Sequence, residues 1–338
     1  MNKILTISIA AYNVEDYIED TLKSILVKNI EDLEILVEDD GGTDNTANIV
    51  KKYEEKYPGI VKLVHKENGG YGSTINKSLE LAQGKYFKPL DGDDWYDSEN
   101  FEKLLEILIT TDVDAVYTPL IECKEEKNER KLVDYFEKDI EGIYKLEDII
   151  GKAKDSLMMH TLVYRTELLR DCNLKLLEHC FYTDTQYAMF PIVNADKILI
   201  THMPIYMYRI GRAEQSISLA SHRKHYEDHV RVSKRLIEFY NENKNNLETN
   251  KKKYIFGYIK SQIGITIVKY YMVLKLNREN LEKIKQYEKY VLDNNNELYE
   301  AVGTHSKLVR ILRKTNYNYL IYKIISFLKT QKIKMEKK

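Results

Sequence analysis

The chain has only three cysteines, Cys123, Cys172 and Cys180, an odd set with no Cys-x-x-Cys pair. That excludes a disulfide framework and a zinc site built on paired thiols, and it suits the thiols of a reducing compartment. It has almost no net charge, since 52 Lys and Arg against 53 Asp and Glu give −1 at pH 7. No global field therefore attracts a polyanion, and no nucleic-acid partner is expected. Long apolar runs are missing too. The best stretches, 254–276 and 319–328, are broken by Lys260, Lys269, Lys275 and Lys323 and fall short of the roughly 18 apolar residues a spanning helix needs. Met1-Asn2-Lys3 leads at once into a strand-like run, too short for a secretory leader, and no fixed-period repeat is present. These absences describe a cytoplasmic protein, with peripheral contact at the inner face of the cell membrane as its remaining membrane role.

What is present is a soluble, globular composition, 43% hydrophobic and 31% charged over 338 residues, long enough for two structural units. The first 120 residues alternate strand and helix signals. Strands are expected at Leu5–Ala10, Glu34–Val37, Val61–Val64, Tyr86–Leu90 and Ala115–Tyr117. Between them Asn13 is expected to cap a helix with Val14, Ile18, Leu22 and Ile25 on one face, and Asp44 to cap the next. Helices are also read at Ser73–Ala82 and around Phe101, Leu104, Leu105 and Leu108. Such units predict a largely parallel sheet with helices on both faces, which binds ligands at the C-terminal ends of its strands. Asp39-Asp40 ends the second strand and Asp91-Gly92-Asp93-Asp94 the fourth, so acids distant in sequence should meet at one edge. Hard divalent cations take carboxylate oxygens and substrate phosphates, although Asp-Gly-Asp is also ordinary turn chemistry. Residues 124–130 read as a solvated hairpin or loop, and the chain beyond about 221 as helical.

Five stretches carry a resemblance: Ile7-Ser8-Ile9-Ala10-Ala11-Tyr12-Asn13, Val37-Glu38-Asp39-Asp40-Gly41-Gly42-Thr43-Asp44, Asn68-Gly69-Gly70-Tyr71-Gly72-Ser73 with Asn76, Ala82-Gln83-Gly84-Lys85-Tyr86, and the Asp91 turn. In residues, order and spacing they resemble a family 2 glycosyltransferase. The resemblance implies an α/β fold of the GT-A class, Rossmann-like, a mainly parallel sheet flanked by helices, with a helical C-terminal extension. A catalytic domain is expected over 1–220 (nucleotide-sugar half to about 120, acceptor half beyond) and a helical region over 221–338. Ala10 stands where the family usually has Pro, and Thr74-Ile75-Asn76 replaces the commoner Ala-Arg-Asn, removing an arginine often near the nucleotide.

The resemblance further implies a nucleotide-sugar donor, with a UDP-sugar favoured, a glycan or lipid-linked acceptor, and Mn²⁺ or Mg²⁺. Asp40 matches the acid that reads the base; as an acceptor only, it suits a base presenting an N–H. Asp93 is the expected metal ligand, Asp91 a ligand or ribose contact, and Asp94 a contact of the diphosphate and acceptor region. Ala11, Tyr12, Asn13, Asp39, Asn68, Gly69, Gly70, Asn76 and Gly92 complete the expected substrate-binding set, and turn polarity is the plainer alternative for Asp39 and Asp40. Asp184 resembles the base that takes the acceptor proton in inverting transfer, with an N-cap role as its alternative and Glu178 as its substitute. His160 falls near the acceptor. His222, His225 and His229 read as an exposed helix face or an added metal ligand. Arg209 or Arg212 is placed on diphosphate oxygens or in surface pairing. From Lys307 onward basic residues alternate with Leu308, Ile311, Leu312, Leu320, Ile321, Ile324, Ile325 and Leu328, a basic amphipathic pattern suited to an anionic membrane or to packing on the rest of the chain. The rival readings are a silent nucleotide- or glycan-binding protein on the same fold and a sugar nucleotidyltransferase. The latter needs a basic glycine loop that Ala10–Asp16 lacks.

Overall fold

Strands β1 (Leu5–Ala11), β2 (Leu33–Asp39), β3 (Val61–His65) and β4 (Tyr86–Asp91) form the parallel heart of the first half, in the spatial order β3-β2-β1-β4. Every residue of β1 but Ala10 is buried, so both faces of the strand are covered, as central parallel strands require. The computed structural model describes residues 3–124, 127–211, 215–216, 218–271, 277–325 and 327. It divides into two compact units, Met1–Gly211 and Arg212–Lys338. The boundary expected at 220 falls inside the second.

The parallel register opposes Ala11 to Asp39 and Ala10 to Asp91. Three strand ends therefore reach one edge together, which is where the loops carrying the acids begin. The expected series does not continue simply. Strands β5 (Trp95–Tyr96), β6 (Ala115–Tyr117), β7 (Leu120–Lys124), β8 (Glu129–Val133), β9 (Gly142–Lys145), β10 (Leu162–Arg165), β11 (Lys197–Ile200) and β12 (Tyr206–Arg209) follow. β10 enters antiparallel between β4 and β6, so β6 is not the neighbour of β4 that sequence order suggests. The sheet runs on through β11 to β9, while β5, β12, β7 and β8 make a second, four-stranded sheet. Of the hairpin or loop expected over 124–130, Lys124 and Glu129 pair across antiparallel β7 and β8, and residues 125–126 lie outside the described residues.

Helices α1 (Ile18–Ile25), α2 (Thr46–Lys56), α3 (Tyr71–Leu81), α4 (Ser98–Thr110), α5 (Leu146–Ile149), α6 (Thr166–Asp171) and α7 (Asp184–Met189) accompany the strands. α1 buries Ile18, Leu22 and Ile25 on the face the sequence indicates, but it starts five residues after Asn13. Asn13 adopts a φ of 52° and bonds to another loop, so its capping role is corrected. Gly84 is dictated by packing: a Cβ there would lie 2.3 Å from the Thr6 nitrogen. Its N–H donates to Thr6 Oγ1 at 2.9 Å, and that hydroxyl donates to Glu34 Oε2 at 2.6 Å.

The second unit contains α8 (Leu219–Lys224), α9 (Tyr226–Asn243), α10 (Thr249–Ile265), α11 (Arg278–Asn294), α12 (Asn296–His305) and α13 (Lys307–Lys314). Leu236, Ile259, Ile284, Val291 and Leu298 are fully buried in its core. The exposed histidine face is corrected: His229 is buried, and His222 Nδ1 lies 3.2 Å from its Nε2. Part of the basic tail is equally committed. Arg313 pairs with Glu288, its Nη1 donates to Tyr299 O at 2.7 Å, and its guanidinium stacks 3.5 Å from the Tyr299 ring.

Lys88, in the middle of β4, is fully buried. Its Nζ donates to His160 O at 2.8 Å and Leu162 O at 3.3 Å, and lies over the rings of Tyr96 and Tyr206. Burial lowers its pKa to about 7. Between that value and the ordinary 10.5 the unfolded chain holds a proton that the folded chain has released, so stability rises with pH across that window. Below about 7 the full cost of the buried cation is present. The wild type should therefore resist urea better at pH 9 than at pH 7, and Lys88→Met should flatten that slope. Equal slopes in both proteins would contradict the assignment.

Candidate active site

Two loops meet at the ends of β1 and β2 through reciprocal bonds. Asn13 Oδ1 accepts from Thr43 N at 2.8 Å, Glu15 N donates to Asp44 Oδ2 at 2.9 Å, and Asn45 N donates to Glu15 Oε2 at 2.9 Å. Ala11 O accepts from Asp40 N at 2.9 Å. This lacing leaves Tyr12 53% exposed at the strand end, an aromatic ring presented to solvent beside fixed backbone.

Asp39 and Asp40 are both buried and both organise backbone. Asp39 Oδ1 accepts from Gly42 N at 2.9 Å while Oδ2 meets His65 Nδ1 at 2.7 Å. Asp40 holds the glycine loop: Oδ1 accepts from Gly69 N and Oδ2 from Gly70 N, each at 2.9 Å, and Lys66 Nζ pairs with Oδ1. Asn68 Nδ2 closes the loop on Asp40 O at 2.9 Å. Asn76, expected in the substrate-binding set, bonds within the protein. Its amide bonds to both the N–H and the C=O of Leu176, at 2.9 and 3.0 Å, and to Glu178 Oε1 at 3.0 Å. That stitches α3 to the segment before α7. Gly72 explains the close approach, since a Cβ there would lie 2.1 Å from Leu177 O.

At the end of β4 the acids converge. Gly92 N donates to Ala10 O at 3.0 Å, and Thr21 Oγ1 donates to Gly92 O and Asp94 O at 3.0 and 2.7 Å. A Cβ on Gly92 would sit 2.8 Å from Ala10 O, so the turn is tight against β1. Asp94 is 1% exposed; Tyr206 OH donates to its Oδ2 at 2.9 Å and Arg209 N to its Oδ1 at 2.7 Å. The same phenol oxygen accepts from Asp91 N at 3.1 Å. His160 is buried, with Tyr206 and Tyr208 ring centroids 4.8 and 4.6 Å away, and its Nε2 lies 3.5 Å from Asp91 Oδ2.

One ligand atom from each of Asp91, Asp94 and His160 lies within 4.8 Å of the others. Asp91 Oδ1 and His160 Nδ1 are buried with no hydrogen-bond partner among the described residues. Burial first, and the neighbouring Asp91 charge second, push the Asp94 carboxyl well above its usual range. Two crowded carboxylates, an imidazole and orphaned atoms form a donor set that a divalent cation satisfies. Asp93 stands outside this trio, and its carbonyl accepts from Arg209 Nε at 2.8 Å.

Asp184 opens α7, half-buried. Burial raises its pKa, the His160 charge opposes that rise, and Asp91 adds to it. Asp184 therefore shares the electrostatic surroundings of the trio. The segment before it folds back onto the glycine loop, His179 N donating to Gly69 O at 2.5 Å.

Residues 6–171 match the family model described as glycosyl transferase family 2. The chain is a family 2 glycosyltransferase. It is 26% identical over 246 residues to glycosyltransferase YibD of Escherichia coli, covering 71% of each chain. To the minor teichoic acid biosynthesis protein GgaB of Bacillus subtilis it is 26% identical over 237 residues, 67% of this chain and 25% of that much longer one. Among solved structures, S. aureus TarS 1–349 in complex with UDP-GlcNAc superposes with a TM-score of 0.72 at 20% identity, over 97% of this chain and 92% of that one. This establishes a GT-A-like fold with C-terminal helices.

Within the transferase, residues expected at the site fall into two groups. Tyr12, Gly92, Asp91, Asp94, His160 and Asp184 line or adjoin the edge where strands β1 and β4 end. Ala11, Asn13, Asp39, Asp40, Asn68, Gly69, Gly70 and Asn76 shape the loops around it through bonds to other backbone. Arg209, expected on diphosphate oxygens or in surface pairing, has its guanidinium 4.7 Å from both the Tyr17 and Trp95 rings. Arg212 lies outside the described residues. Sequence reasoning passed over Tyr206 and Lys88. The period-two aromatics Tyr206 and Tyr208, on one strand face, were the available signal for the first.

Proposed function

We propose that this transferase moves a sugar from a UDP-sugar to a hydroxyl of a glycan or lipid-linked acceptor of a cell-surface polysaccharide, with inversion and with Mn²⁺ or Mg²⁺ bound. The observation that carries the reading is the Asp91–Asp94–His160 trio with its orphaned buried atoms at the C-terminal edge of the sheet, where open α/β sheets bind ligands. TarS was solved with UDP-GlcNAc and with UDP. A mannosyltransferase of Pyrobaculum calidifontis, similar in fold at a TM-score of 0.50, was solved with GDP-Man and Mn²⁺. GgaB acts in teichoic acid biosynthesis by name. These neighbours support the donor class and the cell-surface setting.

Asp91, Asp94 and His160 would hold the metal, whose charge would neutralise the diphosphate as it leaves. The imidazole favours Mn²⁺ over Mg²⁺, which prefers oxygen alone. Tyr12 offers its exposed ring to the base, and the Asp40-braced glycine loop fixes the backbone beneath the donor. Asp93, expected from the sequence as the metal ligand, would stand beside the trio, its carbonyl held by Arg209 Nε. Asp184 takes the proton of the acceptor hydroxyl while that oxygen attacks the anomeric carbon. Its raised pKa brings it closer to the proton it must accept.

The C-terminal helices are proposed to touch an anionic membrane. In the helical stretch 319–325 and at Phe327, the exposed residues Leu320 (68%), Ile324 (59%) and Phe327 (62%) recur at i, i+4 and i+7 beside Lys323. Leu328 and the lysines beyond it lie outside the described residues. Among the described residues no helix is long and apolar enough to cross a membrane.

Purified protein incubated with UDP-, GDP- and dTDP-sugars should release nucleotide from one donor, slowly without acceptor and only with Mn²⁺ or Mg²⁺. Asp184→Asn should lower transfer roughly 10²–10⁴-fold while leaving UDP affinity unchanged. Release from no donor, with UDP still bound, would favour the silent binding protein. For the tail, sedimentation with phosphatidylglycerol vesicles should capture the wild type and lose Ile324→Asp. Equal recovery of the two proteins would remove the membrane role.

A further inference from the structure

Away from the acidic turn, the outer face of the second sheet carries a cleft that the transfer reaction does not use. Cross-strand partners, and residues two apart on a strand, share a face. The register therefore places Trp95, Met207, Ile121, Leu132 and Arg130 together. The opposite face presents Tyr206 and Tyr208 to His160. On the outer face Leu132 is 47% exposed, and Trp95 and Ile121 are half-buried. Against Asp20 and Lys23 of α1 this face borders an open cleft of about 440 Å³, with Trp95, Asp97 and Arg130 in its wall. Neither Asp20 nor Arg130 makes a side-chain hydrogen bond with any described residue. Asp97 caps α4 through Oδ1, which accepts from Asn100 N at 3.0 Å.

We propose that this cleft is a second carbohydrate subsite, holding pyranose units of a glycan remote from the hydroxyl that reacts. The inference rests on the transferase reading for its biological sense, but its chemistry is separate. A pyranose presents an apolar face of C–H groups and a rim of hydroxyls that both donate and accept. The indole of Trp95 supplies a flat apolar platform. Asp20 and Asp97 supply acceptors, and Lys23 and Arg130 supply donors. With its two carboxylates offset by Lys23 and Arg130, the cleft has no net positive charge to draw a nucleic acid or an anionic lipid surface, and an apolar helix would desolvate its charged groups. The volume falls within the range of small-ligand sites.

The cleft is also braced to the site. Arg209 lies over the Trp95 and Tyr17 rings while its Nε holds Asp93 O, and Trp95 directly follows Asp94. A glycan on the indole therefore rests on the turn that carries the acids.

Trp95 is the single tryptophan of the chain, so tryptophan emission arises from this one indole, and the Arg130 and Asp20 variants tie any shift to the cleft. Chitotetraose, cellotetraose and maltotetraose would each be titrated into the intact protein at saturating UDP and Mn²⁺. At least one should shift the emission saturably. Arg130→Ala and Asp20→Asn, both checked for native circular dichroism, should each weaken that binding roughly fivefold or more, as loss of one hydrogen bond does. Emission unmoved by all three sugars, or binding unchanged in both variants, overturns the subsite. Metal-dependent nucleotide release, measured on the same preparation, reports the transferase reading independently. Intact release beside a silent cleft would refute the subsite alone.

Discussion

The structure around the strand edge depends on holding Asp91 and Asp94 against each other. Burial first, and the like charge of Asp91 second, disfavour ionisation, and the Asp94 carboxyl is pushed upward accordingly. The fold opposes that repulsion with fixed donors. Tyr206 and the Arg209 N–H face Asp94, Thr21 ties the turn's carbonyls, and the β1–β4 register sets its height. An arrangement that concentrates negative charge and leaves Asp91 Oδ1 and His160 Nδ1 without partners is unfavourable in isolation. The divalent cation proposed above would make it favourable, and a donor diphosphate would extend the same logic.

The second half of the catalytic unit is shaped by the first. β10 inserts beside β4, and Lys88 reaches across to the carbonyls of His160 and Leu162, which places the imidazole over the acidic turn. Gly70 and Gly72 let the 176–180 segment lie against the start of α3, and Asn76 stitches it there. Asp184 follows from that packing. The glycine loop and Asp184 are in this sense one construction.

Much of the edge was legible in the sequence because strand–helix periodicity is local and parallel sheets gather ligands at one end. Asp91, Asp94, His160 and Asp184 could be singled out before their contacts were known. Long-range pairing was not legible. The insertion of β10 between β4 and β6 leaves no periodic trace. Asn13 looked like a helix cap because its side chain favours caps and left-handed backbone alike, and the loop 30 residues away decides between them. Asn76 has the residue type of a donor contact, yet its partners lie 100 residues on. Arg209 carried charge that suggested a phosphate, and the rings of Tyr17 and Trp95 that lie against it were out of sight in the sequence.

The central claim is that Asp91, Asp94 and His160 form one metal site. The most direct measurement is Mn²⁺ binding by electron paramagnetic resonance, with and without UDP, on the wild type and on Asp91→Ala and His160→Ala. The account predicts saturable loss of the free Mn²⁺ signal, tighter with UDP, abolished by Asp91→Ala and weakened by His160→Ala. Binding that is indifferent to both substitutions, or lost only when Asp93 is changed, would contradict it.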